Sequence, residues 1–215
     1  MPITKDAIRI MTGAATLRHF MSDAVVEYRF RNPRVHMEFL TASSSGECLD
    51  ALRKGDADLA WITVSGAADD VEQRPVVELP WMLAMRSGDY YADRAWVEVP
   101  ELSGLRVIRP PENSTSGRVL TAALTDVTLG DAAGATDWDT ALLLAGLGVG
   151  HAIVPRFPDQ QYLADGAVHL VPLRGLPPLP VGWAARSWDA LSPAARSFAE
   201  VATRSLRYQC DLNPP

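Results

Sequence analysis

Lysine is almost missing from this sequence. Of its 20 basic residues 18 are arginine, and only Lys5 and Lys54 are lysine. No run of basic residues occurs anywhere, and 26 acidic residues leave a formal net charge of −6. Affinity for a phosphate backbone rests on clustered Lys and Arg, so direct DNA or RNA binding by this chain is disfavoured. Arginine in place of lysine reads as coding bias. Cysteine is scarce as well: Cys48 and Cys210 are too few for a disulfide-stapled secreted domain. Cys48 falls in a predicted helix beside Leu49 and Leu52, which is the setting of a buried core thiol. Long apolar runs are missing too. The longest, Ala141 to Val149, is broken by Gly146 and Gly148 and is far too short to span a bilayer. Residues Met1 to Asp6 show no basic stretch leading into an apolar one, so no signal peptide is read and a cytoplasmic location is expected.

The signatures of common enzymes are also missing. There is no Gly-x-Ser-x-Gly elbow, no Ser-x-x-Lys and no Gly-x-x-x-x-Gly-Lys phosphate loop. None of the four histidines (His19, His36, His151, His169) pairs with another at metal-ligand spacing. No catalytic residue, metal or cofactor is therefore expected. Gly146-Leu147-Gly148-Val149-Gly150 resembles a dinucleotide loop only in composition. It follows a predicted helix and leads into a strand, the reverse of the nucleotide fingerprint, and reads as a helix C-cap and tight turn.

What is present is a globular composition, 47% hydrophobic and 21% charged, arranged as alternating strands and helices. Ala7 to Thr12 reads as a strand, ended by Gly13. A helix follows with Leu17, Phe20, Met21, Ala24, Val25 and Tyr28 on one apolar stripe, stopped at Asn32-Pro33. Val35, Met37 and Phe39 alternate with His36 and Glu38 as a second strand. Ser44 and Glu47 have the spacing of a capping box opening a helix that ends near Gly55, and Asp58 to Ile62 is a third strand. A second series follows: strand Leu105 to Arg109, a helix from about Asn113 to Leu124, a strand leading up to Thr136, a helix from Trp138, and strands His151 to Val154 and Ala167 to Leu173. Val76 to Arg86 is an apolar segment leading out of the first series. Val181 to Arg186 is a last strand before a C-terminal helix opened by Ser192-Pro193. Such alternation predicts an α/β fold with parallel strands and right-handed crossovers.

The positive functional signal is a set of hydroxyl-rich segments at the ends of predicted strands. They are Thr12-Gly13-Ala14-Ala15-Thr16, Thr41-Ala42-Ser43-Ser44-Ser45, Thr63, Asn113-Ser114-Thr115-Ser116 and Thr136-Asp137. In an open α/β sheet, ligands bind at the carboxyl ends of the strands, where helix N-termini offer free N–H groups and partial positive charge. Plain N-capping accounts for any one segment; five at equivalent positions point to a ligand site. Arg109, ending a strand just before the Asn113 loop, is a candidate for a bidentate contact with a carboxylate. A small organic anion is the expected ligand.

Four stretches resemble a known family. They are Ala7 to Thr12 with its helix, Leu49-Asp50-Ala51-Leu52-Arg53-Lys54-Gly55-Asp56-Ala57-Asp58-Leu59-Ala60, Leu142 to Pro155, and Leu191 to Phe198. Together they resemble the effector-binding domain of LysR-type transcriptional regulators, over nearly the whole chain. The resemblance implies two Rossmann-like lobes joined by two crossover strands, like type 2 periplasmic binding proteins. Residues 1–85 and 182–215 would form lobe I, and 86–181 lobe II. It implies a small-molecule effector bound between the lobes at Thr12, Thr16, Ser43, Ser44 and Thr63 of the first, and at Asn113, Ser114 and Thr136 of the second, with Gly13 and Arg109 joining the candidates from the segments above. A homodimer or homotetramer is implied, with DNA contacted only through the family's N-terminal winged helix-turn-helix, which these residues do not include. A transport-associated solute-binding protein of the same fold is the alternative, and an enzyme on a related two-lobed fold is a more remote one.

Overall fold

A computed structural model describes residues 7–66, 70–110, 114–158 and 166–212, the side chains of 211 and 212 excepted. The chain divides into two compact units, Met1–Val77 with Pro180–Pro215 and Glu78–Leu179.

Unit 1 is built on a sheet of five strands. Strand β1 (Ala7–Thr12) lies between β2 (His36–Thr41) and β3 (Leu59–Thr63), parallel to both, and β11 (Leu179–Ala185) runs antiparallel beside β3, with β4 (Glu72–Leu79) outermost. The chain passes from β1 to β2 through one helical stretch, α1 (Ala14–Thr16), a π-helical segment (Leu17–Met21) and α2 (Ser22–Arg31). From β2 it passes to β3 through α3 (Ser45–Lys54), which Gly55 ends at φ +78°, a left-handed conformation that favours glycine. Phe20, Met21, Ala24 and Tyr28 of the predicted stripe are buried, while Leu17 and Val25 are half-buried. The π-helical turn within this stripe buries His19 beside Phe20 and Met21, a detail to which 3.6-residue spacing is blind. On one side of the sheet, Trp61 and Trp183 sit opposite each other on β3 and β11, with ring centroids 5.0 Å apart and edge to face. Phe198 of α6 (Pro193–Leu212) packs on Trp183 and Tyr28 at 6.0 and 5.4 Å. Two polar tips in this cluster find partners here: Trp183 Nε1 donates to Thr203 Oγ1, and the Tyr28 hydroxyl to the Ala194 carbonyl. Cys48, Ala51 and Leu52 of α3 pack with Ala60, Ile62 and Ala184 in a second cluster. Cys48 is the buried core thiol its neighbours predicted.

Unit 2 repeats the arrangement. Strand β7 (Arg106–Arg109) lies between β8 (Gly130–Gly134) and β9 (His151–Pro155), parallel to both. Helices α4 (Thr115–Ala123) and α5 (Trp138–Gly146) make the crossovers, and β5 (Trp81–Arg86) runs antiparallel beside β9. Strand β10 (Val168–Arg174) pairs with β5 and with the short β6 (Val97–Glu98). The apolar segment Val76 to Arg86 resolves into parts of two strands, β4 and β5, broken at Pro80, which has no N–H for a ladder. The glycine run at 146–150 has three separate structural causes. Gly148 takes φ +75° after α5, where its N–H reaches the Ala145 carbonyl and that of Val149 the Leu144 carbonyl, the paired bonds of a Schellman C-cap. A Cβ on Gly146 would stand 2.9 Å from Val168 Cγ2, and one on Gly150 would stand 2.8 Å from the Arg106 carbonyl oxygen. No helix among the described residues is long and apolar enough to cross a membrane.

Candidate functional site

In each unit the central strand and its two parallel neighbours end on the same side, and the hydroxyl-rich segments lie at those ends. In unit 1, Thr12 pairs with Thr41 at the ends of β1 and β2, and the Ala42 N–H donates to the Thr12 carbonyl at 3.0 Å. Thr12 shares the face of Ile8 and Ile10 and is only 1% exposed, yet its hydroxyl has no hydrogen-bond partner. An unpaired buried hydroxyl costs about 1–3 kcal/mol by protein mutational data, so this one is a liability to the fold alone. Gly13 caps α1 with backbone only, and Thr16, also buried, lies one turn on; a Cβ on Gly13 would come within 3.3 Å of Thr16 Oγ1. Thr63 ends β3, buried, and its N–H donates to Ser45 Oγ at 3.1 Å. Thr12, Gly13, Thr16, Ser43, Ser44 and Thr63 thus form one rim.

The capping of α3 departs from the predicted box in one respect. Ser44 is the N-cap, and its Oγ accepts the Glu47 N–H at 3.2 Å, as expected. The Glu47 carboxylate, however, passes the Ser44 N–H by. It accepts the Ser43 N–H at 2.9 Å and the Ser43 hydroxyl at 2.7 Å. These two bonds hold the Glu47 carboxyl below the usual carboxylate range.

In unit 2, Ser114 caps α4 by accepting the Gly117 N–H at 2.9 Å, with Ser116 Oγ at 3.4 Å. Arg118 donates to Thr115 Oγ1 at 3.2 Å, which brings a guanidinium to the first turn of α4, a turn without acidic residues. Asn113 lies outside the described residues. Thr136 is exposed and donates to Asp137, which caps α5 and also accepts the Thr140 N–H and hydroxyl at 2.9 and 2.8 Å. Burial works against the charged form of Asp137, and these bonds outweigh it, so its carboxyl stays below the ordinary range. Arg109 does not stand alone at its strand end: its Nε lies 3.5 Å from Asp131, three residues back along β8 from its own strand partner Gly134. Trp138 packs on the buried Phe157 with centroids 5.4 Å apart.

Three participants escaped the sequence reading. Asp137 as an N-cap was legible, since Asp immediately before a helix is a favoured cap. The turn of Glu47 toward Ser43 and of Arg118 toward Thr115 carries no sequence signal, because both depend on rotamer choice.

The model of the LysR substrate binding domain family matches residues 4–207. No curated protein sequence matches the chain. Among solved structures the chain is similar to the effector-binding domain of QuiR in complex with shikimate, with a TM-score of 0.81 and 13% identity over 95% of this chain and 99% of that one. It is similar to HinK, a LysR family transcriptional regulator from Pseudomonas aeruginosa, with a TM-score of 0.80 and 18% identity over 93% of this chain and 70% of that one. The regulatory domain of OxyR2 from Vibrio vulnificus gives a TM-score of 0.78 and 19% identity over 95% and 98%. The fold is that of type 2 periplasmic-binding-protein-like domains.

Proposed function

The chain belongs to the LysR substrate binding domain family, whose members are ligand-sensing regulatory domains, and from that premise we propose that it binds a small organic effector at its hydroxyl-rich strand ends. The observation that carries this reading is Thr12: a hydroxyl 1% exposed, without a partner, at the carboxyl end of the central strand. A polar atom so placed is satisfied when a ligand supplies the missing bond. The effector's anionic group is assigned to unit 2, at the N-terminus of α4, where Ser114, Thr115 and Ser116 meet Arg118 and the first turn holds no acidic residue. Arg109, at the end of β7, and Thr136, after β8, are assigned to the same rim, and Asn113 is assigned to it from the sequence. Trp138 flanks it with an aromatic face.

Binding acts on transcription by favouring one conformation of the domain over another, which requires unequal affinity for the two. The domain acts without catalysis, in the cytoplasm, and reaches DNA through a helix-turn-helix that residues 1–215 do not include. Assembly as a homodimer or homotetramer is supported by pairs of exposed apolar residues four apart: Val26 and Phe30 on α2, 70% and 87% exposed, and Leu143 on α5 with Leu147 at its C-cap.

The test is a thermal-shift screen against organic acids, aromatic acids, amino acids and sugar phosphates. A ligand at 100 times its dissociation constant stabilises the fold by about 2.7 kcal/mol, which moves the melting point by several degrees. The reading requires a compound whose shift, measured against each unliganded variant, is smaller in both Thr12→Val and Ser114→Ala than in wild type. A stabilising compound indifferent to both substitutions places the effector elsewhere.

A further inference from the structure

The rim of unit 1 holds a carboxylate where a helix start would otherwise meet an anion. Three hydroxyl residues follow β2, and each is already committed. Ser43 gives its N–H and its hydroxyl to Glu47, Ser44 Oγ takes the Glu47 N–H, and Ser45 Oγ takes the Thr63 N–H. The donors of Ser43 are spent on Glu47, and a negative charge stands exposed beside the segment. Unit 2 repeats this placement with a different residue. The helix after its flanking strand β8 starts at Asp137, whose oxygens take the Thr140 N–H and the hydroxyls of Thr140 and Thr136. After the central strand β7, in contrast, the first turn of α4 holds no acid. A second and independent observation marks the unit 1 rim as one that meets a ligand. Thr12, whose carbonyl accepts the Ala42 N–H next to Ser43, buries a hydroxyl without a partner.

The geometry points to Glu47 as a specificity-determining residue: its carboxylate stands in the anion position against Ser43, so the group that an effector presents to this rim is a hydrogen-bond donor, a hydroxyl or an ammonium, and an anionic group is turned away. This rests on the rim being effector-binding, as argued above. It favours effectors that offer this rim a hydroxyl or an ammonium, as hydroxy acids and amino acids can, over those that offer it only carboxylates. Coulomb repulsion from a unit charge about 4 Å away is enough, even at the dielectric of water, to lower affinity about fivefold.

The experiment uses inorganic phosphate as the anion probe and the backbone amides of Ser43, Ser44 and Ser45 as reporters, in ¹⁵N-labelled wild type, Glu47→Ala and Glu47→Gln. Glu47→Ala keeps the Ser44 cap, because that bond uses the backbone N–H of residue 47. The expected result is a saturable shift of these amides in Glu47→Ala, at least about fivefold tighter than in wild type. Glu47→Gln, which removes charge but keeps an acceptor toward Ser43, moves in the same direction and decides the matter where the alanine variant does not fold. An equal response in wild type and variants overturns the proposal, and so does a response in none of them. The measurement leaves Thr12 untouched, so a failure here is separable from a failure of the rim reading, which is decided by Thr12→Val and Ser114→Ala against the compound panel.

Discussion

Replacing Thr12 by valine should make the unliganded protein more stable and its effector binding weaker, and the opposition of the two signs is what makes the experiment decisive. Valine keeps the branched shape, so the packing next to Ile8 and Ile10 is preserved. What changes is the hydroxyl, which is buried without a partner. Removing such a group recovers its desolvation penalty, about 1–3 kcal/mol. For a chain of this length each kcal/mol moves the melting temperature by about 2–4 °C, so calorimetry should show a rise of at least about 2 °C. Effector affinity should fall at the same time by roughly twofold to tenfold, the net worth of one neutral hydrogen bond. Thr12→Ser is the control. It retains the hydroxyl and loses a methyl, so it should cost the fold about 1 kcal/mol while binding stays close to wild type. A Thr12→Val protein less stable than wild type would show that the hydroxyl is satisfied within the fold. One more stable but with unchanged affinity would show that the effector does not use it.

Gly182→Ala should destabilise unit 1 by at least about 1–3 kcal/mol in urea titrations, because the new Cβ overlaps the Arg74 carbonyl oxygen and stands 2.8 Å from Pro75 Cα, both fixed backbone of the neighbouring strand. Phe198→Ala should cost about 3–5 kcal/mol by the same measurement, since the ring is fully buried against Tyr28, Phe39 and Trp183. Burial pushes the Cys48 thiol up to about 12, with the Glu47 charge adding to it. Its folded value lies above its unfolded one, so the associated stability is complete below about pH 9 and declines as pH rises toward 12, and a thiol reagent at neutral pH should modify Cys210 well before Cys48. Asp137 has a lowered value, so its contribution is present above the ordinary carboxylate range and is lost as pH falls through its folded value; Asp137→Asn should flatten the acid limb of the stability profile.

Much of the architecture was legible because it rests on local rules. The alternation of Val35, Met37 and Phe39 with His36 and Glu38 needs only the two-residue period of a strand, and the structure shows the first set half-buried and the second exposed. Ser44, Ser114 and Ser192 all cap helices, and Gly55 and Gly148 end them at positive φ. Strand β4 was only partly legible, since its outer position leaves most of its residues exposed and its pattern weak, with Pro75 inside it. The π-helical turn at Leu17–Met21 was invisible for a different reason. Its apolar residues satisfy ordinary helical spacing, which carries no mark of the wider turn that buries His19.

The rims divide along the same line. That hydroxyl residues gather at strand ends could be read from sequence, because strand ends and caps are local. Which charge those rims present could not. Ser43 and Glu47 four residues apart, or Thr136, Asp137 and Thr140, look like uncommitted polar groups at a helix start, and the general attraction of helix N-termini for anions then suggests an anionic partner for all of them. The structure shows that two of these starts already hold a carboxylate of the chain itself, while the first turn of α4 has no acidic residue. A helix N-terminus attracts negative charge from whichever source is nearest, and a side chain tethered three or four residues away is present at an effective concentration that no free metabolite matches. The propensity that makes Asp and Glu good first-turn residues is thus also what removes those turns from the set of anion sites, and the carboxylate site proposed above lies at the helix whose first turn has no acidic residue.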